Sequence, residues 1–260
     1  MTSIDHSHWA QYLFDSATGA REVQAITKQV DDLSIDDAYA IQAALLELHL
    51  ANGDSLAGAK LGLTSAAKQE QMGVAEPVYG WVPEATVITD GIARLDELIH
   101  PRCEPEIVFI LGEDLAGTNV TGDDVLDATA RVVGGIEVID SRYEAFSFTL
   151  TDVIADNTSA ARVVIGDEGV GPRDVDLLTL GCVFEVDGKI TGTATGAALL
   201  GDPADCVALL ANHLGKHGQK LEAGWIIMAG APVDARPLGA GTVATARYSH
   251  LGSVTVTGKD

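Results

Sequence analysis

The stretch Pro101-Arg102-Cys103-Glu104-Pro105-Glu106-Ile107-Val108-Phe109-Ile110-Leu111 decides how this chain is read. Its apolar end predicts a buried strand over 104–111. Alternation along that strand puts Glu104 and Glu106 on one face. Two like charges that close repel, and apolar surroundings tolerate neither without a partner. Arg102 is the one cation in the run, and it is read as facing the other way. A second stretch, Val132-Val133-Gly134-Gly135-Ile136-Glu137-Val138-Ile139-Asp140, predicts another apolar strand with one carboxylate, Glu137. A divalent cation on three carboxylates would remove the electrostatic objection to all of them. Hard oxygen ligands favour Mg²⁺ or Mn²⁺ over Zn²⁺. The competing reading of Glu-x-Glu is a solvated edge strand, and spacing alone leaves both open.

Bulk properties bound the rest. With 260 residues the chain is long enough to bury a substantial core. Acidic residues outnumber basic ones by 38 to 16, a net charge of −22 that repels nucleic acid and anionic membranes. Cys103, Cys182 and Cys206 are too few and too far apart for a disulfide framework or a zinc knuckle. The first residues lack the basic and apolar regions of a signal peptide, and no run approaches the length of a membrane span. A cytoplasmic home is expected.

Residues 7 to 52 read as helical. Trp9, Leu13 and Phe14 suggest a short helix closed by Gly19, and Ser34 opens a clearer one ended by Asn52-Gly53. Beyond residue 58 the runs are short and β-branched. Strands are expected at 58–63, 104–111, 132–139, 162–166, 179–186, 225–229, 242–247 and 253–257, and helices at 65–71, 122–130 and 203–215. Val186-Asp187-Gly188-Lys189 reads as a hairpin turn, and Asp202-Pro203 as a helix start. With no repeat or linker, residues 1–260 are expected to form one α+β domain. It has a helical N-terminal layer over about 1–55 and a β-rich body over about 56–260. The seven histidines show no metal-ligand spacing and are assigned packing or surface roles.

Lys60 interrupts the apolar run Gly58-Ala59-Lys60-Leu61-Gly62-Leu63-Thr64-Ser65. Buried, it must pair with an anion or shift its pKa; on an edge strand it would simply reach water. Further motifs follow in order: Gln71-Met72-Gly73-Val74, Pro77-Val78-Tyr79-Gly80, Glu137-Val138-Ile139-Asp140-Ser141-Arg142-Tyr143 and Ala155-Asp156-Asn157-Thr158-Ser159. Together with the Glu104 and Lys60 stretches, they resemble the hydratase/decarboxylase family of catechol meta-cleavage pathways, within the fumarylacetoacetate hydrolase superfamily. The resemblance spans residues 34 to 257.

That resemblance implies a mixed β-roll or sandwich enclosing the site, with Mg²⁺ or Mn²⁺ on Glu104, Glu106 and Glu137. It implies Lys60 as the active-site lysine, Ser159 as a substrate contact, and Met72 where the backbone approaches the substrate carboxylate. Asp156 and Asn157 are expected to hold their loop, and Arg142 to pair with a nearby acid. Gly230-Ala231-Pro232 is expected to end a strand near the pocket. Members of the family form homo-oligomers, and its decarboxylases associate with partner hydratases.

Its hydratases usually carry Pro-Asp-Phe-Gly where this chain has Pro77-Val78-Tyr79-Gly80, and Val78 cannot move a proton. The resemblance therefore leans to metal-dependent decarboxylation of 2-oxohex-3-enedioate to 2-hydroxypenta-2,4-dienoate and CO₂. The alternative is hydration of that dienoate.

Overall fold

The computed structural model describes residues 4–65, 69–70 and 76–260. Helix α1 (His6–Thr18) starts where the Asp5 carboxylate accepts from the His8 N–H at 3.0 Å, and ends at Gly19. Helix α2 (Ile35–Ala51) opens on a capping box between Ser34 and Asp37, with Asn52 at its other end. Both starts satisfy backbone donors that a first turn leaves orphaned. Trp9, Leu13, Ile41 and Leu45 pack the two helices into one apolar cluster with Val78, Tyr143 and Ile154. Gln42 is buried in the middle of α2. Its Nε2 donates to the Tyr79 and Ile154 carbonyls, each at 2.9 Å, and so ties the helical layer to the body.

The body holds two sheets. The first runs β2 (Val78–Pro83), β1 (Leu56–Gly62), β9 (Ile226–Met228), β4 (Arg102–Leu111), β5 (Thr129–Ile139), β6 (Ala160–Val170), with β10 (Arg236–Pro237) paired to β4. All of these neighbours are antiparallel except β1 and β9. The sheet curls until Val87, just past β2, bridges Val163 on β6, and the Ile88 N–H donates to the Val163 carbonyl at 2.9 Å. The second sheet runs β3 (Ile92–Arg94), β12 (Gly252–Lys259), β11 (Val243–Tyr248), β7 (Gly181–Val186), β8 (Lys189–Thr195). Helix α3 (Gly122–Ala128) precedes β5, and the short α4 (Leu150–Ala155) leads to β6. Helix α5 (Pro203–Lys216) starts at Asp202-Pro203 as expected.

The two faces of the first sheet are used differently. One face carries Ala59, Ile107, Phe109, Val132, Ile136 and Val138 into the main core, against Phe184, Ala244 and Val256 of the second sheet and Val207, Leu210 and Leu214 of α5. The other, enclosed by the curl, holds a smaller cluster of Ala57, Val82, Val108, Val133, Val163 and Met228. Tyr248 locks the main core to the strands that matter most. Its hydroxyl lies 2.8 and 2.9 Å from the carbonyl oxygens of Gly135 and Glu106.

The expected strands and the helices at 122–130 and 203–215 are present with small shifts of boundary. The expected helix at 65–71 lies largely outside the described residues. Unforeseen were β2, which is flanked by prolines, the short β3 and β10, and α4, whose six residues are too few to set up a period. Gly134 has no space for a side chain, because a Cβ there would stand 2.4 Å from the Tyr248 ring. Gly134→Ala is therefore expected to destabilise the fold by about 1–3 kcal/mol, the usual cost of overpacking. A lowered midpoint in urea unfolding at unchanged slope would show it.

Candidate metal centre

Strand register brings the predicted carboxylates together. Glu104 on β4 pairs directly with Glu137 on β5, and Glu106 pairs with Gly135, so all three acids point from one face of the sheet. That face is the enclosed one. On β1, Lys60 is opposite Met228 of β9, and Met228 is opposite Val108 of β4, which puts Lys60 on the same face as the acids. Strand β9 stops at Met228, and Lys60 reaches the glutamates beyond it, its Nζ meeting Glu137. Gly230 turns the chain at φ 123° and donates its N–H to Glu106 Oε2 at 2.8 Å. A Cβ at residue 230 would stand 2.0 Å from Thr64 Oγ1, so the expected strand end is also a position that only glycine fits.

The three carboxylates are buried, and one oxygen from each lies within 4.8 Å of the others. Lys60 is 3 % exposed, and its Nζ is 3.1 Å from Glu137 Oε2. Burial, then the charges of Glu137 and Glu104, push the Glu106 carboxyl well above the usual carboxylate range. Lys60 and the Gly230 N–H pull it back. Glu106 Oε1 is fully buried with no hydrogen-bond partner among the described residues. Three hard oxygens converging at this spacing, one of them unsatisfied, fit a divalent cation of the Mg²⁺ or Mn²⁺ kind.

The loop before β6 is strained in a way that aims one side chain. Asn157, Thr158 and Ser159 have φ of 49°, 51° and 59°, a left-handed backbone that costs each about 1–3 kcal/mol. Neighbouring bonds hold it there. The Asn157 side chain accepts from the Trp81 N–H at 2.7 Å and donates to the Trp81 carbonyl at 2.9 Å. Close approach is possible because β2 has Gly80 there; a Cβ would stand 2.4 Å from Thr158 Oγ1. Arg142 bonds the Asp156 carboxylate and carbonyl, and also the Asp140 and Ala160 carbonyls, which uses up its guanidinium in structure. Burial pushes Asp156 up to about 6 even so, while Arg142 opposes the rise. The result is a buried Ser159 whose Oγ has no partner among the described residues and faces the cavity.

That cavity has a volume of about 400 Å³ and opens above the carboxylates. Lys60, Glu104 and Ser159 line its inner end, and Val78, Ile139, Phe146, Phe148 and Val153 its walls. Arg102 and Asp234 also line it. Arg102, expected on the far face, lies on the same face as the acids, because residues 102, 104 and 106 share parity along a regular strand. The alternation itself was the signal for it. Phe146, Phe148, Val153 and Asp234 had no such signal, since their approach is tertiary. Met72 lies outside the described residues.

The three acids make a prediction that does not depend on activity. Glu106→Gln removes one of three crowded buried charges while keeping an oxygen for the Gly230 N–H. The metal-free variant is expected to melt above the metal-free parent, and added Mg²⁺ should no longer raise its melting temperature. Calorimetry with and without a chelator reads both effects.

Residues 52–257 match the fumarylacetoacetate (FAA) hydrolase C-terminal family. The chain is 39% identical to a 4-oxalocrotonate decarboxylase of Pseudomonas sp. (strain CF600), over 94% of this chain and 93% of that one. It is 43% identical to a 2-hydroxypent-2,4-dienoate hydratase of Pseudomonas putida, over 79% of this chain and 94% of that one. The solved structure of 4-oxalocrotonate decarboxylase from Pseudomonas putida G7, complexed with magnesium and adipate, superposes with a TM-score of 0.94. It shares 36% identity, and 97% of each chain is covered. By sequence and by structure, the chain belongs to the fumarylacetoacetate hydrolase family.

Proposed function

We propose that this chain is a carboxy-lyase that converts 2-oxohex-3-enedioate and a proton to 2-hydroxypenta-2,4-dienoate and CO₂. One observation carries the reading. Buried Lys60 and three buried glutamates meet at the floor of a cavity whose wall at residue 78 is valine. The relatives named 4-oxalocrotonate decarboxylase support it, and adipate is a six-carbon dicarboxylate like the proposed substrate.

Glu104, Glu106 and Glu137 would hold Mg²⁺ or Mn²⁺, which when bound supplies Lewis-acid charge to the 2-oxo acid end of the substrate. Breaking the C5–C6 bond frees CO₂ and leaves an electron pair that delocalises through C4 and C3 to the C2 oxygen. The Lys60 ammonium, oriented by Glu137, stabilises that charge as it develops. Ser159 Oγ, held with no partner among the described residues, donates a hydrogen bond to the bound 2-oxo acid. Val78, Phe148 and Val153 make a dry wall that disfavours a carboxylate relative to neutral CO₂. A general base is not required for the cleavage.

The whole span 1–260 acts as one catalytic unit in this reading, a cytoplasmic homo-oligomer in aromatic meta-cleavage catabolism that docks with a partner hydratase. No helix among the described residues is long and apolar enough to cross a membrane. Hydration of 2-hydroxypenta-2,4-dienoate is the second reading, favoured by the 43% identity to a hydratase. Hydration needs an acid or base near the double bond, and Val78 offers none.

Incubation with 2-oxohex-3-enedioate and Mg²⁺ should release CO₂ and give the five-carbon dienoate by mass. Water addition to that dienoate without CO₂ release would replace the reading with the hydratase. Lys60→Gln is expected to lower kcat roughly 10²–10³-fold, as loss of a charge-stabilising donor does. Borohydride trapping should leave Lys60 unmodified, because an electrostatic role forms no Schiff base.

A further inference from the structure

Among the described residues, the cavity carries one cationic side chain that the chemistry at its floor does not use. Arg102 begins β4, two residues before Glu104 and on the same face, so it stands further out along the cavity than Glu104. Its guanidinium lies over the Phe146 ring, 4.2 Å from the centroid. A guanidinium seated on an aromatic face keeps N–H groups available for a planar acceptor. Arg102 takes part in none of the ion pairs of the described residues, unlike Arg94, Arg142, Arg162, Arg173 and Arg247. Asp234, exposed, lines the cavity as well without pairing to it.

The ring beneath Arg102 is fixed at some cost. Ala145 and Phe146 have φ of 56° and 55°, two successive left-handed residues of a kind that persists only where surrounding structure imposes it. The N-terminal layer does so here. The Ala145 N–H donates to Glu22 Oε2 at 3.2 Å, and the Glu144 N–H donates to the Val23 carbonyl at 2.9 Å.

A dicarboxylate entering this cavity brings two negative charges to a protein of net charge −22. Lys60 is already committed to Glu137, so the outer carboxylate needs a counterion of its own. We propose that Arg102 is the specificity-determining residue for that outer carboxylate, and that it makes the site prefer dicarboxylic 2-oxo acids to monocarboxylic ones of the same length. The inference rests on the decarboxylation reading and names what selects its substrate. The charge that Arg102 grips disappears when CO₂ leaves, so the contact belongs to the bound substrate rather than to the transition state. Its loss therefore raises KM and does not lower kcat.

The test is calorimetric titration of the Mg²⁺-loaded enzyme with 2-oxohexanedioate and with 2-oxohexanoate. Both are saturated, so neither can pass electrons to the C2 oxygen from a cleaved C5–C6 bond. The parent should bind the dioate more tightly. Arg102→Gln should weaken the dioate roughly ten- to hundred-fold, the range for a hydrogen bond between charged groups, and leave the monoacid within about two-fold. Arg102→Lys should keep part of the preference. An unchanged ratio, or parallel weakening of both ligands, overturns the proposal. The product assay fails independently: CO₂ release with an unchanged ratio removes Arg102 alone, whereas a collapsed ratio without CO₂ release removes the reaction and leaves a dicarboxylate site.

Discussion

Three carboxylates buried side by side are the constraint that the rest of this structure serves. Glu106 is fully enclosed between Glu104 and Glu137, and the charges that oppose their repulsion include Lys60 and the Gly230 N–H. Such a cluster is unfavourable in a fold optimised for stability alone. It persists because the strands that carry it are anchored from the opposite side. Ile107, Phe109, Ile136 and Val138 alternate with the acids and sink into the main core. One face of β4 and β5 holds the fold together while the other holds the charge.

Glycine and short elements make room at the points where this arrangement is tightest. Gly134 admits the Tyr248 ring beneath the acids, Gly80 admits the loop that carries Ser159, and Gly230 turns the chain beside Glu106. Strand β9 has three residues, and the chain turns away at Gly230 just past the point where Lys60 meets Glu137. The curl of the first sheet then closes the space from the side through the Val87–Val163 bridge. A packed interior becomes a cavity through these local omissions, with strain at residues 157–159 held by Arg142, Asp156 and Asn157.

The relatives of this chain include both decarboxylases and hydratases at similar identity, so overall similarity does not separate the two reactions. In the proposed reading the separation lies in the walls of the cavity. A common floor grips the 2-oxo acid in this reading, and the residues above it choose between expelling CO₂ and admitting water. Val78, the phenylalanines at 146 and 148, and Arg102 occupy that upper region. In the proposed reading the outer cation selects the dicarboxylate for binding, and the dry wall favours the departure of that carboxylate as CO₂.

Much of this was legible in the chain itself. Period-two alternation set the acids of β4 on one side, helix caps at Ser34 and Asp202 marked their helices, and the ordered motifs indicated the family and its ligand set. Alternation also contained Arg102, although the sequence reading turned it the wrong way. Strand β2 and helix α4 were not legible, because each is short and its pairing is settled by distant partners such as Gln42. What the sequence by itself determined was which residues share a face, since side-chain direction along a strand is a local property. Only the tertiary structure decided which faces meet. The register between β4 and β5, the early end of β9 and the swing of residues 144–148 over the cavity depend on contacts between segments far apart in the chain.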